Sequence, residues 1–369
     1  MASNSGRSIA ESAVPRIGSG SSFSARGVLV WSGFVLLIVL CAFVSSGIGS
    51  FKTPYDTILR LWLSPFYPDL SSGIDGTVGY IVIHVRLARI CLAFLVGCGL
   101  AMAGTVYQGV LLNPLADPFT LGISTGAAFG ASLAIILGLG GAHIAGIGVL
   151  PIAAFAGALA ALYLVYLLGS AEGKLHVVTV ILAGVIISTF LSALISLIKS
   201  LNEDSVSTIV FWIMGSFSGK SWTHVMLVLP YLVAGMGAVF YFTRELDLLS
   251  LGDVQAQQLG VDVQKVRFWL LFSASLVTAA AVAVSGIIGF VGLVVPHLVR
   301  MAAGPSHRRL IPAVLLSGGL LVLISDTLAR SILPGGEEIP VGVVTAILGG
   351  PFFCYLLLHR KKQLRLLSG

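Results

Sequence analysis

Apolar stretches of about twenty residues recur along this 369-residue chain, separated by short polar turns. The sharpest case is Arg86–Gly126. A long apolar run there meets a proline-bracketed turn, Asn113-Pro114-Leu115-Ala116-Asp117-Pro118, and a second apolar run follows at once. A run of ~20 apolar residues crosses a bilayer as a helix, because in lipid a helix satisfies its own backbone groups. The pattern predicts about ten transmembrane helices, near 28–48, 82–108, 118–139, 144–168, 177–199, 223–242, 264–285, 287–303, 310–330 and 340–359. The eighth is short and interrupted by Pro296. The first is too long for a signal-peptide core and has no clear small-residue cleavage site, so it reads as an uncleaved helix. Residues 1–26, rich in Ser, Gly and Arg, read as a disordered cytoplasmic tail. Residues 27–360 then form one transmembrane domain, and 361–369 a second cytoplasmic tail.

Composition strengthens this picture. The chain is 57% hydrophobic and 10% charged, whereas globular domains carry about 25% charged residues. The charge deficit runs along the whole length, which indicates an all-α polytopic membrane protein rather than a soluble domain with one anchor. The 44 glycines suit helices packed closely through small side chains. Trp31, Trp212, Trp222 and Trp269 fall near span ends, where amphipathic rings anchor.

The net charge of +6 does not point to nucleic acid, because the basic residues sit in loops and no basic stripe is interleaved with aromatics. With both termini inside, 14 of the 21 basic residues fall on the cytoplasmic side, which is the bias expected of loops at that face. Arg86, Arg89 and Arg330 lie at outer helix ends, against the trend, and so ask for a functional reason.

A faint repeat appears at an offset of 182 residues. Ala101, Gly104, Leu111, Pro114 and Gly122 pair with Ala283, Gly286, Leu293, Pro296 and Gly304. It maps span two onto span seven. An odd separation of spans gives two halves of inverted topology, a frequent transporter plan.

Few residues could carry chemistry. The four cysteines lie within apolar runs and form no CxxC pair, so they read as small buried hydrophobes. Met214–Ser221 ends like a phosphate-binding loop, but methionine stands where its first glycine belongs. No catalytic residue, metal site or cofactor is expected. Asp326 lies within a span, where an acid could couple protons, but Arg330 one turn away favours a structural pair. His297 follows the bend at Pro296 and reads as hydrogen-bonded structure.

The most polar linker, Leu249–Arg267, is more informative. Ser250 with Asp253 looks like a capping box, Gly260 like a helix stop, and Asp262 like the cap of the next span. A short cytoplasmic docking helix is therefore predicted over about 252–259.

RLAR (86–89), LVGCGLAMAG (95–104), Gln108, NPLADP (113–118) and LGISTGAA (121–128) together resemble the FecCD-type permeases. So do FWIMGSFSGKSW (211–222), LGDVQAQQLGVDVQKVR (251–267), SGIIGFVGLVVPHLVR (285–300) and SDTLARSILPGGEEIPVGVVTAILGGPFF (325–353). These are the transmembrane subunits of ATP-binding-cassette (ABC) importers for ferric siderophores, haem and vitamin B12. The resemblance runs from about residue 84 to 359 and implies a ten-helix subunit in a bacterial or archaeal cytoplasmic membrane. It implies a second permease copy, expected to be identical, with the substrate path between the two. It also implies two separate ATPase subunits and a periplasmic or lipid-anchored binding protein.

Site roles carried over by the resemblance are as follows. Segment 250–262 matches the coupling helices, so Asp253, Gln255, Gln257 and Gly260 would meet the ATPase. Arg86, Arg89 and Arg330 would meet acidic residues of the binding protein; headgroup snorkelling is the plainer alternative. Asn113 and Leu115 would form a cytoplasmic gate. A second constriction, built of small polar residues in vitamin B12 importers, falls near Val177 and Val178, where this chain departs from the pattern. The rival reading is a secondary transporter driven by an ion gradient, which has no use for a docking helix. A weaker rival is a purely structural membrane subunit.

Overall fold

The computed structural model describes residues 25–49, 51–144, 147–171, 174–333 and 336–367. In chain order the helices are α1 (Ala25–Gly47), α2 (Tyr55–Leu63), α3 (Gly76–Tyr80), α4 (Leu87–Val110), α5 (Ile123–Ile136), α6 (Val149–Gly169), α7 (Val177–Leu201) and α8 (Val206–Ile213). They continue as α9 (Trp222–Tyr241), α10 (Thr243–Leu249), α11 (Asp253–Gln258), α12 (Val263–Ser285), α13 (Val291–Ala303), α14 (His307–Ser331) and α15 (Val341–Leu367). Two small antiparallel hairpins flank α6. One pairs β1 (His143–Ile144) with β2 (Ile147–Gly148), the other β3 (Ser170–Ala171) with β4 (Lys174–Leu175).

Among the described residues, seven helices are long and apolar enough to cross a membrane, and three shorter apolar helices join them: Ile123–Ile136, Val291–Ala303 and Val341–Tyr355. Each predicted apolar run coincides with one of these helices, with shifted ends. The second begins earlier, because a π-helical segment, Ile81–Arg86, joins α3 to α4 in one helix from Gly76 to Val110. In that segment the Leu87 N–H reaches Val82 O, and Trp222 Nε1 donates to Ile83 O at 3.0 Å. The eighth begins at Val291 rather than 287, because Gly286 and Phe290 both have positive φ. The last runs on to Leu367, into the stretch read as a tail. Residues 1–24 of the other expected tail, together with 368–369, lie outside the described residues.

The chain divides into a unit of residues 1–38 and a unit of residues 39–369. In the first, α1 exposes Leu29, Val30 and Leu36, a surface suited to lipid. In the second, α4 is the central helix and nearly every residue from Ala88 to Val110 is buried. Small residues let its neighbours approach closely. Gly97 faces Gly318 and Gly319 of α14, and Gly104 lies against the backbone of Gly292 in α13. The α5–α6 pair uses the same device, with Gly126 and Gly130 against Gly157 and Ala153. Lipid tails are as apolar as leucine, so this contact area and the polar clamps below must hold the helices together. One such clamp is Gln108 Nε2, which donates to Gly292 O at 3.2 Å and Leu293 O at 3.3 Å.

Candidate functional site

Three groups of residues gather the polar chemistry of the chain. The first surrounds Asp326, a carboxylate with no exposure inside α14. Arg89 of α4 holds it with Nη2 at 2.8 Å and Nε at 3.1 Å. The same guanidinium binds Glu338, with Nη1–Oε1 at 2.8 Å and Nη2–Oε2 at 2.9 Å. Arg330, one turn along α14, meets Asp326 Oδ2 at 3.3 Å and donates to Ser45 Oγ at 2.6 Å and Ile48 O at 3.1 Å. Arg86 has no carboxylate in this cluster. It donates to Ser46 O at 2.6 Å, to Thr53 Oγ1 at 3.4 Å and to Phe51 O.

The three arginines singled out in the sequence are thus brought together, but they are 5%, 7% and 8% exposed and point into the chain. They stand here as buried cations among intrachain acceptors. Three arginines face two carboxylates, so the cluster keeps one unit of positive charge. It borders a cavity of 710 Å³ lined by Lys52, Thr53, Tyr55 and Arg330. The expected pairing of Asp326 with Arg330 is present, but the stronger partner is Arg89, 237 residues away.

The second group is the turn between α4 and α5. Asn113 Oδ1 accepts from Leu115 N–H at 3.0 Å, and Asp117 Oδ1 accepts from Phe119 and Thr120 N–H, both at 3.0 Å. These side-chain-to-backbone bonds fix the turn. Leu112 before it has φ +49°, and Leu115 at its tip is 42% exposed. Burial pushes the Asp117 carboxyl up to about 6, against the two backbone donors that favour its charge. Asn113 and Leu115 therefore sit together on a rigid, projecting turn.

The third group is α11 and its surroundings. Gly260 has φ +85° and ends the helix, as its sequence position suggested. Asp262 caps α12 by accepting from Lys265 N–H at 3.2 Å, and its bond to Lys265 holds its carboxyl below the usual range. The capping box is absent. Ser250 Oγ donates to Asp247 O at 2.6 Å, and Gly252 takes the N-cap position with φ +108°. Gln255 and Gln257 are exposed, as a docking helix requires. Asp253, its side chain 44% exposed, also pairs with Arg267 at 2.6 Å.

Sequence reasoning missed two features of this group. Leu251, Val254 and Leu259 add an apolar patch, exposed by 59%, 64% and 57%. Arg267 is 2% exposed; its signal was a charge flanked by Val266 and Phe268, where the apolar run of α12 begins.

The loop that resembled a phosphate-binding motif has its backbone committed elsewhere. Ser216 N–H donates to Ser285 O at 2.8 Å, and Val341 N–H to Gly215 O at 2.9 Å. Among the described residues, no three His, Cys, Asp or Glu side chains gather as metal ligands.

Comparison with known proteins agrees with this arrangement. Residues 36–359 match the FecCD transport family. The chain is 40% identical to an uncharacterised ABC transporter permease, YvrB, of Bacillus subtilis, over 85% of this chain and 89% of that one. It is 43% identical to the cobalamin import system permease BtuC of Halobacterium salinarum, over 79% and 77%. A solved ABC transporter in an inward-facing conformation, assigned to the metal-chelate type, superposes with a TM-score of 0.77 at 33% identity, covering 90% of this chain and 99% of that one. The chain belongs to the FecCD transport family, the membrane permease subunits of ABC importers whose ATPase is a separate subunit.

Proposed function

We propose that the permease moves a bulky metal chelate, a ferric siderophore, haem or cobalamin, inward across a bacterial or archaeal cytoplasmic membrane. It would do so as ten transmembrane helices in two inverted halves, with both termini inside. It would pair with a second, identical copy, with two ATPase subunits and with a binding protein on the outer side. The observation that carries this reading is the form of segment 250–262. A six-residue helix ended by Gly260 presents Gln255, Gln257 and an apolar patch to solvent, and its first residue is pinned to α12. That is the form of an element on which another protein pushes.

In this reading ATP draws the ATPase subunits together, α11 follows, and the helix bundles rock to change which side of the path is open. Asn113 and Leu115, on their rigid turn, narrow the cytoplasmic exit. Arg86, Arg89 and Arg330 receive the binding protein. Their cluster offers one net positive charge rather than three, so electrostatic steering is modest.

The gradient-driven alternative would use Asp326 as the proton carrier. That carboxylate is unexposed and held by Arg89 and Arg330, the setting of a structural ion cluster, which counts against this role.

The test is uptake of radiolabelled cobalamin, haem and a ferric siderophore by a strain lacking the gene, with and without ATP depletion. Loss of one ATP-dependent uptake supports the reading and names the substrate. A lost uptake that follows the proton gradient instead of ATP would overturn it.

A further inference from the structure

The segment that enters α7 is held from outside its own hairpin. Both backbone polar groups of Leu175, two residues before α7, are bonded by side chains of α12. Gln264 Oε1 accepts from Leu175 N–H at 2.8 Å, and Arg267 Nη1 donates to Leu175 O at 3.0 Å. The other terminal nitrogen of Arg267, Nη2, donates to Asp253 Oδ1 at 2.6 Å. One buried guanidinium thus ties the first residue of α11 to the second residue before α7.

We propose that Arg267 is a positioning residue that transmits movement of α11 to the start of α7, and so to the cytoplasmic mouth of the path. The inference rests on the reading of α11 as the ATPase-facing helix.

The chemistry of the side chain supports this. A guanidinium is planar, and its two terminal nitrogens keep a fixed spacing. Displacement of Asp253 must then carry Leu175 along or break a charge-assisted bond to a buried guanidinium. Gln264 grips the same residue, so Leu175 cannot slip along α12 while Arg267 moves. Beyond it, Val178 lies in the first turn of α7 and is 78% exposed, free to respond. A buried arginine whose only task was stability could satisfy itself within α12 and its neighbours. This one instead reaches two separate elements, one 14 and the other 92 residues earlier in the chain.

The test uses the full chain assembled with its ATPase subunits in proteoliposomes. Cys41, Cys91, Cys98 and Cys354 are replaced, and a single cysteine is placed at Val178. Its reaction with N-ethylmaleimide is measured without nucleotide and after trapping with MgATP and vanadate. The expected result is a nucleotide-dependent rate that becomes nucleotide-independent in Arg267→Lys, which keeps the charge but not the two-ended reach. ATP hydrolysis, read as phosphate release, continues in that variant.

Gln264→Ala loosens the same grip without touching α11 and is expected to weaken the switch in part. It serves as the test should Arg267→Lys fail to assemble. A switch that persists in full in the variants that assemble would overturn the relay. A cysteine at Gln257 that fails to cross-link to the ATPase subunit in the otherwise unchanged assembly would instead overturn the reading of α11 itself.

Discussion

Arg89 and Asp326, 237 residues apart in sequence, form a buried two-nitrogen ion pair between α4 and α14, and Arg330 closes on the same carboxylate. Removing the acid takes from Arg330 its carboxylate partner and leaves Arg89 with Glu338 alone. Breaking one side of a buried pair costs about 3–5 kcal/mol. Asp326→Ala is expected to lower the thermal unfolding midpoint of the detergent-purified protein strongly, whereas Glu338→Gln, at the half-exposed edge, lowers it far less. Equal small shifts for the two would mean that the pair contributes little.

The contact between Gly104 and Gly292 leaves no room for a side chain, because a Cβ on Gly104 would overlap the backbone of Gly292. Forcing atoms into a packed interface costs about 1–3 kcal/mol per site, and more where only backbone can yield. Gly104→Val should therefore sharply reduce the yield of folded protein. Gly237→Ala, with nothing within 4 Å, is the matched control on α9 and should behave as the parent. Fluorescence-detected size exclusion separates the two outcomes.

Gly260 raises a different question, since nothing lies within 4 Å of the Cβ position while φ is +85°. A branched side chain there costs about 1–2 kcal/mol through the backbone alone. Asparagine tolerates this conformation. Gly260→Val is expected to leave the membrane core intact yet uncouple ATP hydrolysis from transport, and Gly260→Asn to retain coupling. Normal coupling in the valine variant would remove the helix stop from the mechanism.

The turn at Asp117 gives a dependence on pH. Its carboxyl is raised from 3.8 to about 6, so the folded chain holds that proton more tightly than the unfolded one. Stability from this group therefore falls as pH climbs through the interval between those two values, and is level above it. Asp117→Asn keeps the oxygen that accepts from Phe119 and Thr120 and cannot ionise. It should be more stable than the parent at pH 7.5 by up to about 3 kcal/mol, with the gap closing towards pH 4. Parallel unfolding curves at both pH values would show that the carboxyl is not desolvated in solution.

What could be read in the sequence follows from the range of each interaction. Helices announced themselves because a bilayer demands unbroken apolar runs, and that demand is local. Gly260 and Asp262 were legible for the same reason, since a left-handed stop and an N-cap involve only neighbouring residues. Ser250 misled because its hydroxyl had a nearer acceptor, Asp247 O, on the preceding helix. The partners of the arginines were hidden for the opposite reason. Their side chains look free when only sequence neighbours are considered, and their partners lie on α14, the following loop and the end of α1. Arg267 was invisible as a link because Leu175 contributes only its backbone, which carries no sequence signal.

The wide turn at Ile81–Arg86 has a consequence for how this helix tolerates changes in chain length. A turn closed by i→i+5 bonds holds about one residue more than an α-turn, and each α-helical residue rotates the chain by about 100°. The extra residue is absorbed in place, so the ends at Gly76 and Val110 keep the faces they would have in a straight helix one residue shorter. Deleting a single residue such as Ile81 should therefore tighten the turn and leave both ends pointing as before. The same deletion anywhere in α4 would turn one end by about 100° against the other and misalign Arg89 with Asp326. The helix thus carries a built-in slack of one residue, placed just ahead of Arg89, whose aim it preserves.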